Sequence, residues 1–196
     1  MRPGTTTTPP PRDELLAALA ADGDAAALDE LFRRFREPAY RVAYRLLGST
    51  EDALDAVQDG FIKALTHLRS FEKRSSFKTW LLRIVSNAAL DLGRQRRRRD
   101  ELNQAAIQRT ALAGGTTPDH LDPAREAEES DLRRSLTMAL QQLPEAQRRT
   151  FVLHVDGGLS YREVASAMEI SIGTVMSRLY YARQKLKEML AERVSQ

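Results

Sequence analysis

Two sets of side chains in this sequence carry the chemistry of nucleic-acid contact, and neither carries the chemistry of a catalyst. Ser171, Thr174, Ser177, Arg178, Tyr181, Arg183 and Lys185 bring hydroxyl, guanidinium and ammonium groups to one amphipathic segment. Near a helix N-terminus such groups can reach base edges in a major groove and clamp phosphates. Ser76, Trp80, Arg83, Asn87, Asp91, Arg94 and Arg98 recur at spacings of four and three, which predicts a second helical stripe. Asn87 can address one base with paired hydrogen bonds, and an aromatic ring beside a loop can stack on an unpaired base. Arg94 and Arg96 to Arg99 form a cation cluster that would attract phosphates at long range. Each set has a plainer reading. The arginine run is also what a helix C-terminus favours electrostatically, and a lone tryptophan is more often core than a stacking platform.

The chain has 0 cysteines, which excludes disulfides, thiolate metal sites and a thiol nucleophile. His67, His120 and His154 share no metal-ligand spacing. There is no phosphate-cradling glycine loop and no nucleophile beside a base, so neither an enzymatic activity nor a cofactor is expected. Across 196 residues, Lys and Arg number 30 against 27 Asp and Glu, yet the basic residues are clustered. Distribution therefore matters more than the net charge of +3. Residues 1–12 are rich in Thr and Pro and lack the apolar run of a secretory signal. No apolar run approaches the roughly 20 residues that span a bilayer, so a cytoplasmic protein is expected.

The elements that must position these groups are helical. From Asp13 to about Arg99 the apolar periodicity is that of helices, and 13–100 is read as one module. Residues 101–130 have linker composition, with Gly114-Gly115 and an accumulation of carboxylates, although a helix over Asp100 to Leu112 could extend the basic one. A second helical module is expected over 131–194, giving an all-α chain of two small domains joined by a tether. Within it, Ser160-Tyr161-Arg162-Glu163 fits a capping box, and Glu169-Ile170 makes a tight turn before a second N-cap at Ser171. Val175, Leu179, Ala182 and Leu186 then form a core-facing stripe, and the whole reads as a helix-turn-helix.

In the first module, Glu51 to Leu68 is predicted to bury Leu54, Val57, Phe61, Leu65 and Leu68. Its other side carries Asp52, Asp55, Gln58 and Asp59. An acidic face is repelled by DNA, so it must face solvent or a basic protein.

These motifs resemble the extracytoplasmic-function group of sigma-70-type sigma factors, over about Leu28 to Leu190. Asp55-Ala56-Val57-Gln58-Asp59-Gly60-Phe61 is similar to region 2.2, which implies docking on core RNA polymerase by Asp52, Asp55, Val57, Gln58, Asp59 and Phe61. Phe71 to Leu81 resembles region 2.3, and Arg83 to Arg99 region 2.4. The resemblance implies reading and melting of the −10 promoter element by Lys73, Arg74, Ser75, Ser76, Trp80, Arg83, Asn87, Asp91, Arg94 and Arg98. Leu143 to Arg149 resembles region 4.1. Ser160 to Leu186 closely resembles the region 4.2 helix-turn-helix, which implies reading of the −35 element. An anti-sigma factor is an implied further partner. Two positions depart from the family: Leu65 stands where tryptophan is frequent, and Gly60 lies inside a helix, where it costs about 1 kcal/mol against alanine. A stand-alone helix-turn-helix regulator is the alternative, and it would leave the acidic helix and the Asn87 stripe unused.

Overall fold

The computed structural model describes residues 12–71, 74–110 and 129–194. The expected tail, the loop residues Glu72 and Lys73, and the middle of the linker lie outside the described residues. Among the described residues every regular element is helical: α1 (Asp13–Ala21), α2 (Ala25–Leu47), α3 (Thr50–Thr66), a single 3₁₀ turn (Leu68–Ser70), α4 (Phe77–Thr110), α5 (Glu129–Gln141), α6 (Glu145–Val155), α7 (Tyr161–Met168) and α8 (Ile172–Val194).

Local chemistry sets the ends. Asp24 caps α2 by accepting from the Ala27 amide at 3.0 Å, and Gly48 closes it at φ 76°, a left-handed conformation that a side chain would resist. Ser49 caps α3 through the Asp52 amide. Ser76 caps α4 through the Thr79 amide at 3.1 Å, so the basic helix starts where its periodicity predicts. That helix then continues without a break to Thr110.

Of the five side chains expected to be buried from Glu51 to Leu68, Val57, Phe61 and Leu68 are, and Leu54 and Leu65 are not. The core side of α3 is Ala53, Ala56, Val57, Gly60, Phe61 and Ala64, whereas Leu54 is 56% and Leu65 42% exposed. The physical reason is close approach: a Cβ on Gly60 would stand 2.8 Å from Val85 Cγ2 and 3.1 Å from Val85 Cα on α4. Small residues let α3 lie against α4 at a distance that leucine would prevent. Gly60 is therefore a packing requirement rather than a local flaw.

The two modules are not joined by a tether alone. One apolar core cluster includes residues of both, from Leu81, Leu82 and Val85 on α4 to Leu153, Leu159 and Val164 around α6 and α7. The seam is tight at Gly157, where an added Cβ would meet the Leu153 carbonyl oxygen at 2.6 Å and Leu82 Cδ1 at 3.1 Å. Gln141 at the end of α5 donates to the carbonyls of Arg45 and Leu46 at the end of α2, at 3.1 and 3.0 Å. Leu82 and Val85 point to this seam or to α3, so α4 buries a wider arc than a single apolar stripe would.

Candidate nucleic-acid interface

The helix-turn-helix forms as its local signals dictate. The capping box is complete: Ser160 Oγ accepts from the Glu163 amide, and Glu163 Oε2 accepts from the Ser160 amide at 2.9 Å. Helix α7 ends at Glu169, whose φ of 55° makes the turn, and Ser171 Oγ accepts from the Thr174 amide at 3.0 Å to start α8. Val175, Leu179, Ala182 and Leu186 are all buried, as the stripe predicts.

The outward side of α8 differs in detail from the polar face expected. Ser171, Ser177, Tyr181, Arg183 and Lys185 are exposed, while Thr174 and Arg178 are half-buried on its flank. Three apolar or aromatic residues missed in the sequence stand among them: Ile172 is 42%, Met176 55% and Tyr180 63% exposed. Tyr180 packs edge-on against Tyr181, with ring centroids 5.4 Å apart. From Ile172 to Lys187 the helix carries Arg178, Arg183, Lys185 and Lys187 and no carboxylate. A spacing of four from Ile172 through Met176 to Tyr180 was the signal available.

On α4, Asn87, Asp91, Arg94 and Arg98 are exposed and Arg83 is half-buried, all on one side. Arg74 is exposed, and Ser75 and Ser76 are half-buried at the helix entry, with Lys73 outside the described residues. Trp80 is half-buried in a cluster with Phe71 and Phe77, centroids 5.2 and 5.7 Å away. Trp80 thus packs against the core, as the plainer reading has it, while remaining partly exposed.

Most of this side meets the second module. Arg149 on α6 donates to Asn87 Oδ1 at 2.6 Å, and Arg83 pairs with Glu169 at 2.7 Å. Arg94 pairs with Glu145 at 2.6 Å as well as with Asp91 at 3.1 Å. Thr79 and Ser76 donate to Glu163 Oε1 at 3.1 and 3.3 Å. The electrostatics follow. Arg94 holds the Glu145 carboxyl below its ordinary range, against a smaller opposing effect of burial. For Glu163 burial pushes upward, but hydrogen bonds from Ser160, Thr79 and Ser76 together outweigh it and leave the group lowered. Burial, and then the nearby Arg83 cation, lowers the Arg149 guanidinium.

The acidic face of α3 is smaller than expected. Val57 and Phe61 are each 8% exposed and belong to the core, so neither is available to a partner. Asp52 is half-buried and paired with Arg96 of α4. Asp55, Gln58 and Asp59 remain exposed, with Asp59 also 2.7 Å from Lys63. Leu54, Ile62 and Leu65 flank them, Ile62 being 56% exposed, so the surface combines acid with apolar edges.

Among the described residues no group of His, Cys, Asp or Glu could hold a metal ion, and no helix is long and apolar enough to cross a membrane. What the geometry defines is a helical chain of two modules, one of them carrying a helix-turn-helix, with a separate surface on α3 that combines carboxylates with apolar side chains. Comparison with known proteins makes the class specific. Sigma-70 region 2 matches residues 31–99, and sigma-70 region 4 matches residues 133–186. The ECF RNA polymerase sigma factor SigE of Mycolicibacterium smegmatis is 35% identical over 186 residues, covering 92% of this chain and 69% of that protein. The solved structure of CnrH in complex with the cytosolic domain of CnrY has a TM-score of 0.70 at 28% identity. It covers 92% of this chain and 97% of that one. The sigma factor RpoE of Bartonella quintana, solved with the anti-sigma factor NepR, has a TM-score of 0.61 at 27% identity, over 84% of this chain and 96% of that one. The chain belongs to the ECF sigma factors of the sigma-70 family, built from regions 2 and 4, and directs RNA polymerase to promoters rather than catalysing a reaction itself.

Proposed function

We propose the following division of labour among the surfaces. Asp55, Gln58 and Asp59, with the apolar edges Leu54, Ile62 and Leu65, dock on core RNA polymerase. The α4 side bearing Arg83, Asn87, Asp91, Arg94 and Arg98 reads the melted −10 element, joined by Arg74, Ser75, Ser76 and the half-buried Trp80. The outward side of α8, with Ser171, Thr174, Ser177, Arg178, Tyr181, Arg183 and Lys185, reads the −35 duplex. The observation that carries this reading is the charge pattern: α8 has no carboxylate from Ile172 to Lys187, while the exposed carboxylates of α3 lie on a different helix. DNA and a basic protein surface thus have separate places to bind.

Polymerase supplies the chemistry, and this chain supplies the address. Two weak DNA contacts on one chain reinforce each other when both modules sit on polymerase, because the second contact becomes intramolecular. Melting has to offset roughly 1–2 kcal/mol of stacking per base-pair step, and holding an extruded base is one way to do it. An anti-sigma factor is a further partner, supported by the two similar structures solved with bound proteins. A cytoplasmic location goes with this role.

The test is reconstitution. The chain with purified core polymerase should initiate from a defined set of start sites in vitro, with unpaired thymines reactive to permanganate. The substitution Asn87→Leu, which keeps side-chain volume and removes the base-directed amide, should reduce that reactivity while a −35 footprint survives. Normal melting by this variant would remove Asn87 from the reading side, and no transcription by the parent chain would sink the assignment as a whole.

A further inference from the structure

The first half of α8 presents apolar side chains where a groove-reading helix meets base edges. Ile172, Met176 and Tyr180 stand exposed at spacings of four. Arg178, half-buried on the flank, is the single charged residue from Ile172 to Tyr181. In a helix-turn-helix the N-terminal residues of the second helix contact the bases. Gly173 leaves the backbone open beside Ile172, since an added Cβ would meet only Ser171 Oγ at 3.8 Å. Packing does not require a glycine there, and a bare backbone lets the neighbouring side chains come close to a ligand. The cations stand further along. Arg183 and Lys187, with Tyr161 and Gln184, edge the groove that Met176 and Tyr180 line, and their charge matches a phosphate backbone.

The C5-methyl group of thymine is the apolar feature that a base pair presents in the major groove. We propose that this chain recognises its −35 element by thymine methyl groups packed against Met176, with Ile172 and Tyr180 beside it, rather than by guanidinium contacts to guanine. This rests on the assignment of the outward side of α8 to the −35 duplex, and it names the base feature that side reads.

The three side chains differ in what they contribute. Tyr180 is steadied by its edge-on contact with Tyr181, whereas Met176 is unbranched and its thioether adapts to the shape it meets. Ile172 is stiff at χ1 and opens the first turn of the helix. The surroundings select DNA as the occupant. From Ile172 to Lys187 there is no carboxylate to repel a phosphate, and the patch continues the side that carries Ser177 and Tyr181. Each methyl group taken from water into such a contact should raise affinity about fourfold. Three exposed apolar residues therefore give discrimination without a charged group at the base edge.

Uracil pairs with adenine as thymine does and lacks only the methyl group, so it isolates the contact. Holoenzyme is assembled from the full chain and core polymerase. The probe is a promoter duplex from which it initiates, synthesised with thymine or with deoxyuridine throughout the protected −35 segment and with an unchanged −10 element. The parent should bind the uracil duplex at least about fourfold more weakly. M176A should lose most of that preference, and M176L, which restores an apolar side chain, should regain it. Met176 is exposed, so neither variant should shift Tm. Equal affinity of the parent for the two duplexes overturns the proposal and leaves the patch to a protein partner. A protected −35 segment without thymine overturns it too, as does an M176A chain that keeps the full preference. R183A/K187A, which removes the phosphate partners, should weaken both duplexes alike and keeps the two readings apart. If it does so while the parent does not distinguish thymine from uracil, α8 meets the −35 duplex and the methyl reading is wrong. If it weakens neither, the assignment of α8 fails and the proposal with it.

Discussion

Gly60→Ala puts the packing of α3 on α4 to a quantitative test. Helix propensity alone says that alanine should stabilise the chain by about 1 kcal/mol, because glycine in a helix interior costs that much. Packing says the opposite. The new methyl would stand 2.8 Å from Val85 Cγ2, and 3.1 Å from Val85 Cα, an atom that no rotamer change can move. Valine in a helix has essentially one χ1 rotamer, so the first contact is not easily relieved either. Overpacking of this kind costs about 1–3 kcal/mol, and subtracting the propensity gain leaves a net loss of about 1 kcal/mol. For a chain of this size that lowers Tm by roughly 2–4 °C, read by circular dichroism melting with a parallel urea titration. Gly173→Ala is the control. There the added Cβ meets only Ser171 Oγ at 3.8 Å, ordinary contact, so propensity should win and Tm should rise. A rise in Tm for Gly60→Ala would refute the claim that α3 needs a residue without a side chain at this point.

Charge reversal at Asp55 and Asp59 should weaken binding to core polymerase by about tenfold or more, equivalent to about 1.4 kcal/mol, with an unchanged far-ultraviolet spectrum; undiminished affinity would remove α3 as the docking helix. Arg178→Ala should cost roughly 1–3 kcal/mol at one position of the −35 element if the guanidinium reads a base, or weaken all sequences alike if it holds a phosphate; an unchanged footprint excludes both. Ser160→Ala should destabilise by about 1 kcal/mol through loss of the cap on α7, measured by urea denaturation. The Glu145–Arg94 contact gives a pH signature. Glu145 is lowered by Arg94, so its contribution to the seam is complete above the ordinary glutamate range and is lost as pH falls through the depressed value. Asp156 runs the other way, because burial raises it and its charged form is the disfavoured one. Fluorescence transfer across the seam should therefore not decline on mild acidification from neutrality and should fall only below the ordinary carboxylate range; an early loss would contradict the assignment.

The helix-turn-helix was legible because its determinants are local. Ser160, Glu163 and Ser171 act on amides three residues away, and the Val175 to Leu186 stripe lies within one helix. Helix α3 was misread for a definite reason. Leu54 and Leu65 look like part of a buried face with Leu68, which is indeed buried, but Ala53, Ala56, Gly60 and Ala64 form a competing stripe of small residues, which permits closer approach and buries that side of α3 instead. That pattern stood in the sequence and was outweighed there by side-chain size. The extent of the docking face suffered in consequence, since Val57 and Phe61 share the buried arc with those small residues. The contact between modules was not legible. Asn87 and Arg149 are 62 residues apart and Arg45 and Asp156 111, and nothing local distinguishes such polar surface residues from solvated ones.

Glu163 places a constraint on how this chain can drift under selection. Its carboxylate belongs to the start of α7 through Ser160 and to the seam through Ser76 and Thr79. A substitution that frees the seam at this position also frays the start of α7, so the two contacts cannot be lost separately here. Glu145 and Glu169 have no part in that cap, and replacing either leaves the helix-turn-helix intact. Substitutions that loosen the seam while keeping α7 intact should accordingly fall at Glu145, Asp156 and Glu169 and not at Glu163, although all four carboxylates lie on the same seam.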